Sequence, residues 1–126
     1  MPIQIVEALA YAGLNEIIAF YPFPSGKVNV QVTNWHPFPM HPASGDLDTT
    51  TRTDAPGTTY NSTISARLKT DIELPDAVII RVTLCSGKQL LLGSPDIPVR
   101  ANKNMSLSLT TLSISYSNYQ QPLEIL

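Results

Sequence analysis

Apolar and polar residues alternate with a period of two along several stretches of this chain. In Val28–Thr33 every second residue is Val, with uncharged polar residues between. Because successive side chains of a β-strand point to opposite faces, this pattern predicts a strand with one buried face in an antiparallel sheet. Residues 59–70 alternate in the same way. No amphipathic helical pattern of useful length follows Tyr21, so the sequence predicts an all-β fold.

The most continuously apolar stretch is Ala77–Leu84, which is rich in β-branched residues and is interrupted only by Arg81 and Thr83. It predicts a central strand that is covered on much of both faces. A short loop containing Gly87 separates it from the apolar run Gln89–Leu92. Two such runs joined by a Gly-containing loop of three to four residues predict a hairpin.

The apolar positions of Met105–Ser117 change parity part-way along. Those up to Leu109 are odd-numbered, and those from Leu112 onward are even-numbered. A regular strand cannot keep both sets on one face, so we predict a β-bulge or a strand break at Thr110–Thr111. The alternative is one strand that passes from one apolar environment into another.

The N-terminal residues are open to two interpretations. Ile3–Val6 and Glu16–Phe20 are typical of strands, joined near Ala12–Asn15. However, Glu7–Tyr11 contains good helix formers and is not interrupted by Pro or Gly. A short N-terminal helix is therefore the alternative.

Residues 34–58 are rich in Pro and Gly and contain the polar run Asp48–Asp54. The composition predicts one long irregular loop inserted between two strands, and loops of this length usually carry function or are mobile. The chain has room for one hydrophobic core. We therefore expect a single domain over residues 1–126, built as an antiparallel β-sandwich or a partly open barrel with this inserted loop.

Charge and composition exclude several functional classes. The net charge of −2 argues against a nucleic-acid binder, which needs a basic face. A single Cys excludes an internal disulfide framework. No apolar run reaches membrane-spanning length, and no Lys or Arg precedes Lys27, so a signal peptide's basic region is missing. We expect a cytoplasmic or virion-borne protein with no membrane partner.

Few residues suggest chemistry. His36, His41 and Asp46 could meet a metal ion in a Pro-rich loop, but histidines flanked by Pro are more often exposed or stacked on neighbouring rings. The six Gly are scattered and form no phosphate-binding loop, and no nucleophile elbow is present. We therefore expect no enzymatic activity, no cofactor and no metal.

Aromatic residues cluster in sequence around the long loop. Tyr21, Trp35 and Phe38 could form a stacking platform, which would make the chain a small ligand-binding β-sandwich of the carbohydrate-binding kind. More often such residues pack a loop onto its sheet. The ligand-binding hypothesis is the alternative to the one that follows.

The preferred hypothesis is a structural subunit. Charged residues make up only 14% of the chain, whereas 35 of its 126 residues are Ser, Thr, Asn or Gln. An uncharged polar surface is compatible with burial in interfaces, and assembly covers the exposed edges of a small sheet. We expect contacts with identical copies or other structural subunits. The loop 34–58 would make these contacts through the side chains of Trp35, His36, Phe38, His41 and Arg52.

The C-terminal half resembles small structural proteins of tailed phages and prophages. The resemblance rests on the strand–hairpin–strand Ala77–Leu92, the turn Gly93–Val99, and a long strand of alternating Ser and Thr closed by Pro122–Ile125. It covers about the last 50 residues and carries over no catalytic or binding residue. It implies a non-enzymatic virion subunit of the tail or the head–tail region.

Overall fold

The protein folds almost entirely into β-strands. The computed structural model describes residues 4–41, 45–54, 57–70, 75–100, 104–108, 111–118 and 123–125. Within these ranges the helical structure is a single turn of 3₁₀ helix at Leu14–Glu16, and no helix is long and apolar enough to cross a membrane. The strands are β1 (Gln4–Gly13), β2 (Ile17–Pro22), β3 (Lys27–Val32), β4 (His36–Pro37), β5 (Gly45–Asp54), β6 (Gly57–Arg67), β7 (Ala77–Leu84), β8 (Gln89–Leu92), β9 (Val99–Arg100), β10 (Met105–Ser108), β11 (Thr111–Asn118) and β12 (Leu123–Ile125).

The strands form one strongly curled open sheet, a half-barrel. Its order is β10-β11-β6-β5-β1-β7-β8-β12-β3-β2, with β4 added to β1 and β9 added to β7. The predicted all-β class is confirmed. Neighbouring strands are antiparallel except for β12 and β3, which run parallel.

Strand β7 separates two hydrophobic cores. Val78, Ile80, Val82 and Leu84 belong to the first core, whereas Ile79 belongs to the second. Because side chains alternate along a strand, the two cores lie on opposite faces of β7. The prediction of a central strand covered on both faces is confirmed, as is the β7–β8 hairpin.

The first core is built by strands from one side of the sheet order. On β6, the buried residues Ile64 and Ala66 alternate with the exposed Thr63, Ser65 and Arg67, as the sequence pattern predicts. Truncating a fully buried Leu or Ile of this kind costs about 2–5 kcal/mol. The remaining buried members are Val6, Leu9, Phe38, Leu47, Leu68, Leu92, Val99, Leu112, Ile114 and Tyr116.

The second core is covered by the β2–β3 hairpin and by β12. Val28 is fully buried and packs with Ala12, Ile79 and Leu91. Val30 and Val32 share its face and are half-buried, which confirms the one-sided burial predicted for this strand. The partly buried residues that complete the core are Leu14, Ile17, Phe20, Trp35, Leu123 and Ile125.

The expectation of one long irregular loop over residues 34–58 is wrong. Strand β5 occupies Gly45–Asp54 and pairs with β6 in an unbroken register from Asp46↔Ser65 to Asp54↔Gly57. The polar composition of this run predicts a loop, but Thr is β-branched and favours strands. The Pro residues of the segment lie before and after β5 in sequence, so they do not interrupt its hydrogen bonds.

The alternative of a short N-terminal helix is also wrong. The helix formers at Glu7–Tyr11 lie within β1, which pairs with β7 from Ala8↔Thr83 to Gly13↔Val78. Helix propensity amounts to a few tenths of a kcal/mol per residue, so burial against β7 overrides it. The two predicted strands are present as β1 and β2, and the 3₁₀ turn joins them.

The parity change near Thr110 marks a chain reversal. Strand β10 ends at Ser108, β11 begins at Thr111, and the two pair with Ser108 opposite Thr111 and Met105 opposite Ile114. The numbers of two residues that face each other across these strands differ by an odd number. The apolar residues of their shared face are therefore odd-numbered on β10 and even-numbered on β11. The predicted strand break is confirmed, and the alternative of one continuous strand is wrong. Thr110 itself lies outside the described residues.

Two glycines offer a matched test of backbone and packing strain. Gly93 and Gly87 both have positive φ, at +90° and +95°. A Cβ at Gly93 would lie 3.2 Å from Val99 Cγ2, whereas a Cβ at Gly87 would meet nothing within 4 Å. We expect Gly87→Ala to lower the free energy of unfolding by about 1–2 kcal/mol, and Gly93→Ala by about 1–3 kcal/mol more. Denaturant unfolding of both variants measures this, and equal losses would contradict the role assigned to the Val99 contact.

Candidate interaction surface

The outer half of the β5–β6 hairpin extends beyond its neighbouring strands. Strand β1 pairs with β5 only as far as Leu47, and β11 pairs with β6 only from Tyr60 onward. The last three residue pairs, from Arg52↔Thr59 to Asp54↔Gly57, therefore have no described strand on either side. At about 3.4 Å per residue they project ~10 Å. We call residues 48–54 and 57–60 the hairpin arm.

The arm is rich in Thr and carries three charged residues, Asp48, Arg52 and Asp54. Thr50, Thr51 and Thr53 are exposed. Among the described residues, no strand pairs with the outer edge of β5 beyond Leu47. The backbone groups of an uncovered strand edge can form a ladder with a strand of another chain.

Both ends of the sheet order are open among the described strands, at β2 and β10. Neither strand contains a charged residue. On and beside β2, the apolar residues Ile18, Tyr21 and Phe23 are 67%, 62% and 44% exposed. The β2–β3 register is irregular between Ile17 and Ala19, which is where Ile18 lies. Exposed apolar side chains on an uncovered edge are typical of a contact surface.

Trp35, predicted as a contact residue, packs against its own chain. It is partly buried against the second core, and the Arg81 guanidinium carbon lies 4.9 Å from the centre of its ring. A guanidinium over an indole is a favourable cation–π arrangement. Arg81 Nε is buried and has no hydrogen-bond partner among the described residues, so the stacking on Trp35 is a favourable contact of its guanidinium.

His36, another predicted contact residue, is engaged by Glu16. His36 Nε2 lies 2.9 Å and 3.0 Å from the two carboxylate oxygens. A carboxylate only accepts hydrogen bonds, so Nε2 carries the proton. The Gly13 backbone N–H also donates to Glu16, at 3.0 Å. Together they hold the pKa of Glu16 below its ordinary value of 4.5, with the Gly13 bond as the larger cause.

Phe38 is not available to a ligand. It is only 5% exposed, and its ring centre lies 5.2 Å from that of Tyr11. Tyr11 also contacts the His36 ring at 5.2 Å. The prediction that Phe38 joins Tyr21 and Trp35 in a stacking platform is therefore wrong, because a buried ring cannot stack on a ligand.

The remaining predicted residues are spread over other elements. The His41 backbone N–H donates to the Arg67 carbonyl at 2.8 Å, and Asp46 lies on β5 opposite Ser65. Arg52 belongs to β5 opposite Thr59, and its side chain is outside the described part of the structure. Over the described residues, His36, His41 and Asp46 do not form a metal-binding cluster.

A partly open cavity of about 210 Å³ lies between the two ends of the curled sheet. Sequence reasoning missed it, because its lining comes from strands far apart in the chain and no local pattern links them. The lining residues are Phe20, Pro22, Tyr60, Ser62, Leu91, Leu92, Gly93, Ser94, Asp96, Tyr116, Asn118 and Leu123.

The described surface thus combines a projecting arm, two open strand edges and one cavity. Comparison with protein-family models, curated proteins and solved structures finds no match to this chain. Uncovered backbone edges suit strand pairing with another chain, and the cavity suits a small group.

The Glu16 contacts predict an acid-sensitive contribution to stability. Because the folded-state pKa is lowered, the contribution is complete above the ordinary value of 4.5 and is lost as the pH falls from there through the lowered pKa. We expect Glu16→Gln to flatten this part of the stability profile, measured by urea unfolding at a series of pH values. Glu7→Gln, which changes an exposed carboxylate of β1, is the control and should keep the wild-type slope. Equal slopes for Glu16→Gln and wild type would refute the assignment.

Proposed function

We propose that this chain is a non-enzymatic structural subunit that assembles with copies of itself or with other β-rich subunits. The observation that carries the proposal is the openness of the sheet. A curled sheet whose order ends at β2 and β10, with no described strand beyond either, offers two edges for pairing.

The edge strands favour assembly because little protects them. Soluble proteins usually blunt sheet edges with charged residues, Pro or bulges. Strand β10, Met-Ser-Leu-Ser, has none of these in its sequence, and β2 has only Pro22 and the irregularity at Ile18. Two different edges on one chain make a head-to-tail contact possible, and such contacts generate a closed ring, which is a discrete oligomer, when the rotation between neighbours closes.

In this proposal the hairpin arm contacts neighbouring subunits, which is the function predicted from the sequence for the loop 34–58. Trp35, His36 and Phe38 pack against their own chain, so they are poor candidates for contacts between subunits. Most of the arm belongs to the same segment, and its exposed Thr side chains and the β5 edge, which no described strand covers beyond Leu47, can reach a neighbour.

The finer part of the proposal is a place in a phage or prophage virion, in the tail or the head–tail region. The resemblance of Ala77–Leu92, Gly93–Val99 and the C-terminal strands to small virion proteins supports it. The low charge and the uncovered edges are compatible with a surface that other subunits cover. Genes for portal, capsid or tail proteins on either side of this gene would support the placement, and an unrelated metabolic operon would contradict it.

Edge pairing predicts a discrete oligomer that single edge charges weaken. We expect light scattering coupled to size exclusion to give a defined multiple of 13.8 kDa. Ile18→Lys on β2 and Ser106→Lys on β10 should each raise the dissociation constant about tenfold or more, which corresponds to ~1.4 kcal/mol.

The control for these variants is Ser65→Lys. Ser65 is exposed like Ser106, but it lies on β6 between β5 and β11, away from either end of the sheet. It should leave the oligomer intact, and thermal unfolding verifies that all three variants fold. A wild-type protein that stays at 13.8 kDa at high concentration would overturn the assembly proposal.

A further inference from the structure

The cavity between the two ends of the sheet has an unusual lining. Three aromatic residues contribute to it, Phe20 from β2, Tyr60 from β6 and Tyr116 from β11. Asp96, in the turn after β8, is the only charged residue among the described lining residues. Aromatic rings present a negative face, and a carboxylate adds a full negative charge, so both select for a cation.

We propose that this cavity binds a small organic cation, an alkylammonium group with apolar carbon around or behind the charge. The aliphatic lining of Leu91, Leu92 and Leu123 suits the carbon part of such a group. The described lining contains no Lys or Arg, which disfavours phosphate or carboxylate ligands because these need a cationic partner.

The size of the cavity agrees with this class of ligand. Its volume of about 210 Å³ is below the ~300–1,000 Å³ that is typical of pockets for drug-sized ligands, so it suits a small group. A trimethylammonium head or the end of a lysine side chain is of this scale, whereas an extended peptide or an oligosaccharide is larger.

Tyr116 provides a wall that is fixed before any ligand arrives. Its hydroxyl donates to the Ile97 carbonyl at 2.5 Å and accepts from Asn118 Nδ2 at 3.2 Å. Burial raises the pKa of Tyr116, so the phenol stays neutral. Ser62, also in the lining, is 2% exposed and lies 3.5 Å from Thr49 Oγ1. Side chains held in this way lose little entropy on binding.

The test compares cations with neutral molecules of the same shape. Choline is titrated against 3,3-dimethylbutan-1-ol, and N-acetyl-lysine methylamide against N-acetyl-norleucine methylamide, by ligand-observed NMR on the isolated protein. We expect at least one cation to bind about 3- to 30-fold more tightly than its neutral counterpart, the range of a cation–π contact. Preference for choline identifies a free cation as the ligand, and preference for the lysine derivative identifies a protein side chain.

Variants place the binding at this cavity. Tyr60→Leu and Phe20→Leu should each weaken cation binding about 3- to 30-fold, and Asp96→Asn, at an exposed carboxylate, about 2- to 5-fold. Asp46→Asn removes an exposed carboxylate from β5, outside the cavity lining, and should leave binding unchanged. Equal affinity for cations and neutral counterparts would overturn the proposal. The proposal would also be overturned if Asp96→Asn and Asp46→Asn changed the affinity for the cation equally and Tyr60→Leu and Phe20→Leu did not change it.

Discussion

The fold depends on the burial of β7 on both of its faces. Alternate residues of this strand enter the first and second cores, while β1 and β8 satisfy its backbone along both edges. A strand in this position can carry almost no polar residue, because an unpaired polar group in an apolar interior costs several kcal/mol. Arg81 and Thr83 are the exceptions. The Arg81 guanidinium lies over the Trp35 ring, and the Thr83 hydroxyl accepts a hydrogen bond from Gln89 Nε2 at 3.5 Å.

Two-sided burial also explains why the sheet stays open. Strands β5, β6 and β11 curl over one face of β7, and the β2–β3 hairpin with β12 covers the other. The two ends of the sheet therefore serve different cores and do not pair with each other in the described structure. The open edges of β2 and β10 and the cavity between the sheet ends are consequences of this one arrangement, so the proposed assembly and the proposed ligand site share a structural origin.

Local patterns predicted most of the strands but not the strand at Gly45–Asp54. The polar composition of β5 predicts a loop, yet its Thr residues are β-branched and favour strands, and pairing with β6 orders the segment. The sequence predicts Trp35, His36 and Phe38 as contact residues, but in the structure they pack within their own chain. Their partners are distant in sequence, and Glu16 binds His36 across 20 positions. The residues next to each of these side chains in the sequence do not indicate that it packs against its own chain.

By itself the sequence determined where most of the strands occur, with β5 the main exception, which residues of a strand share a face, and where the chain reverses near Thr110. These properties depend only on each residue's own side chain and on the two-residue repeat of a strand. The tertiary structure decided which strands are neighbours, which face of β7 meets which core, and which side chains line the cavity. Those outcomes depend on burial and pairing between segments far apart in the chain, and several strand orders satisfy the same local pattern equally well.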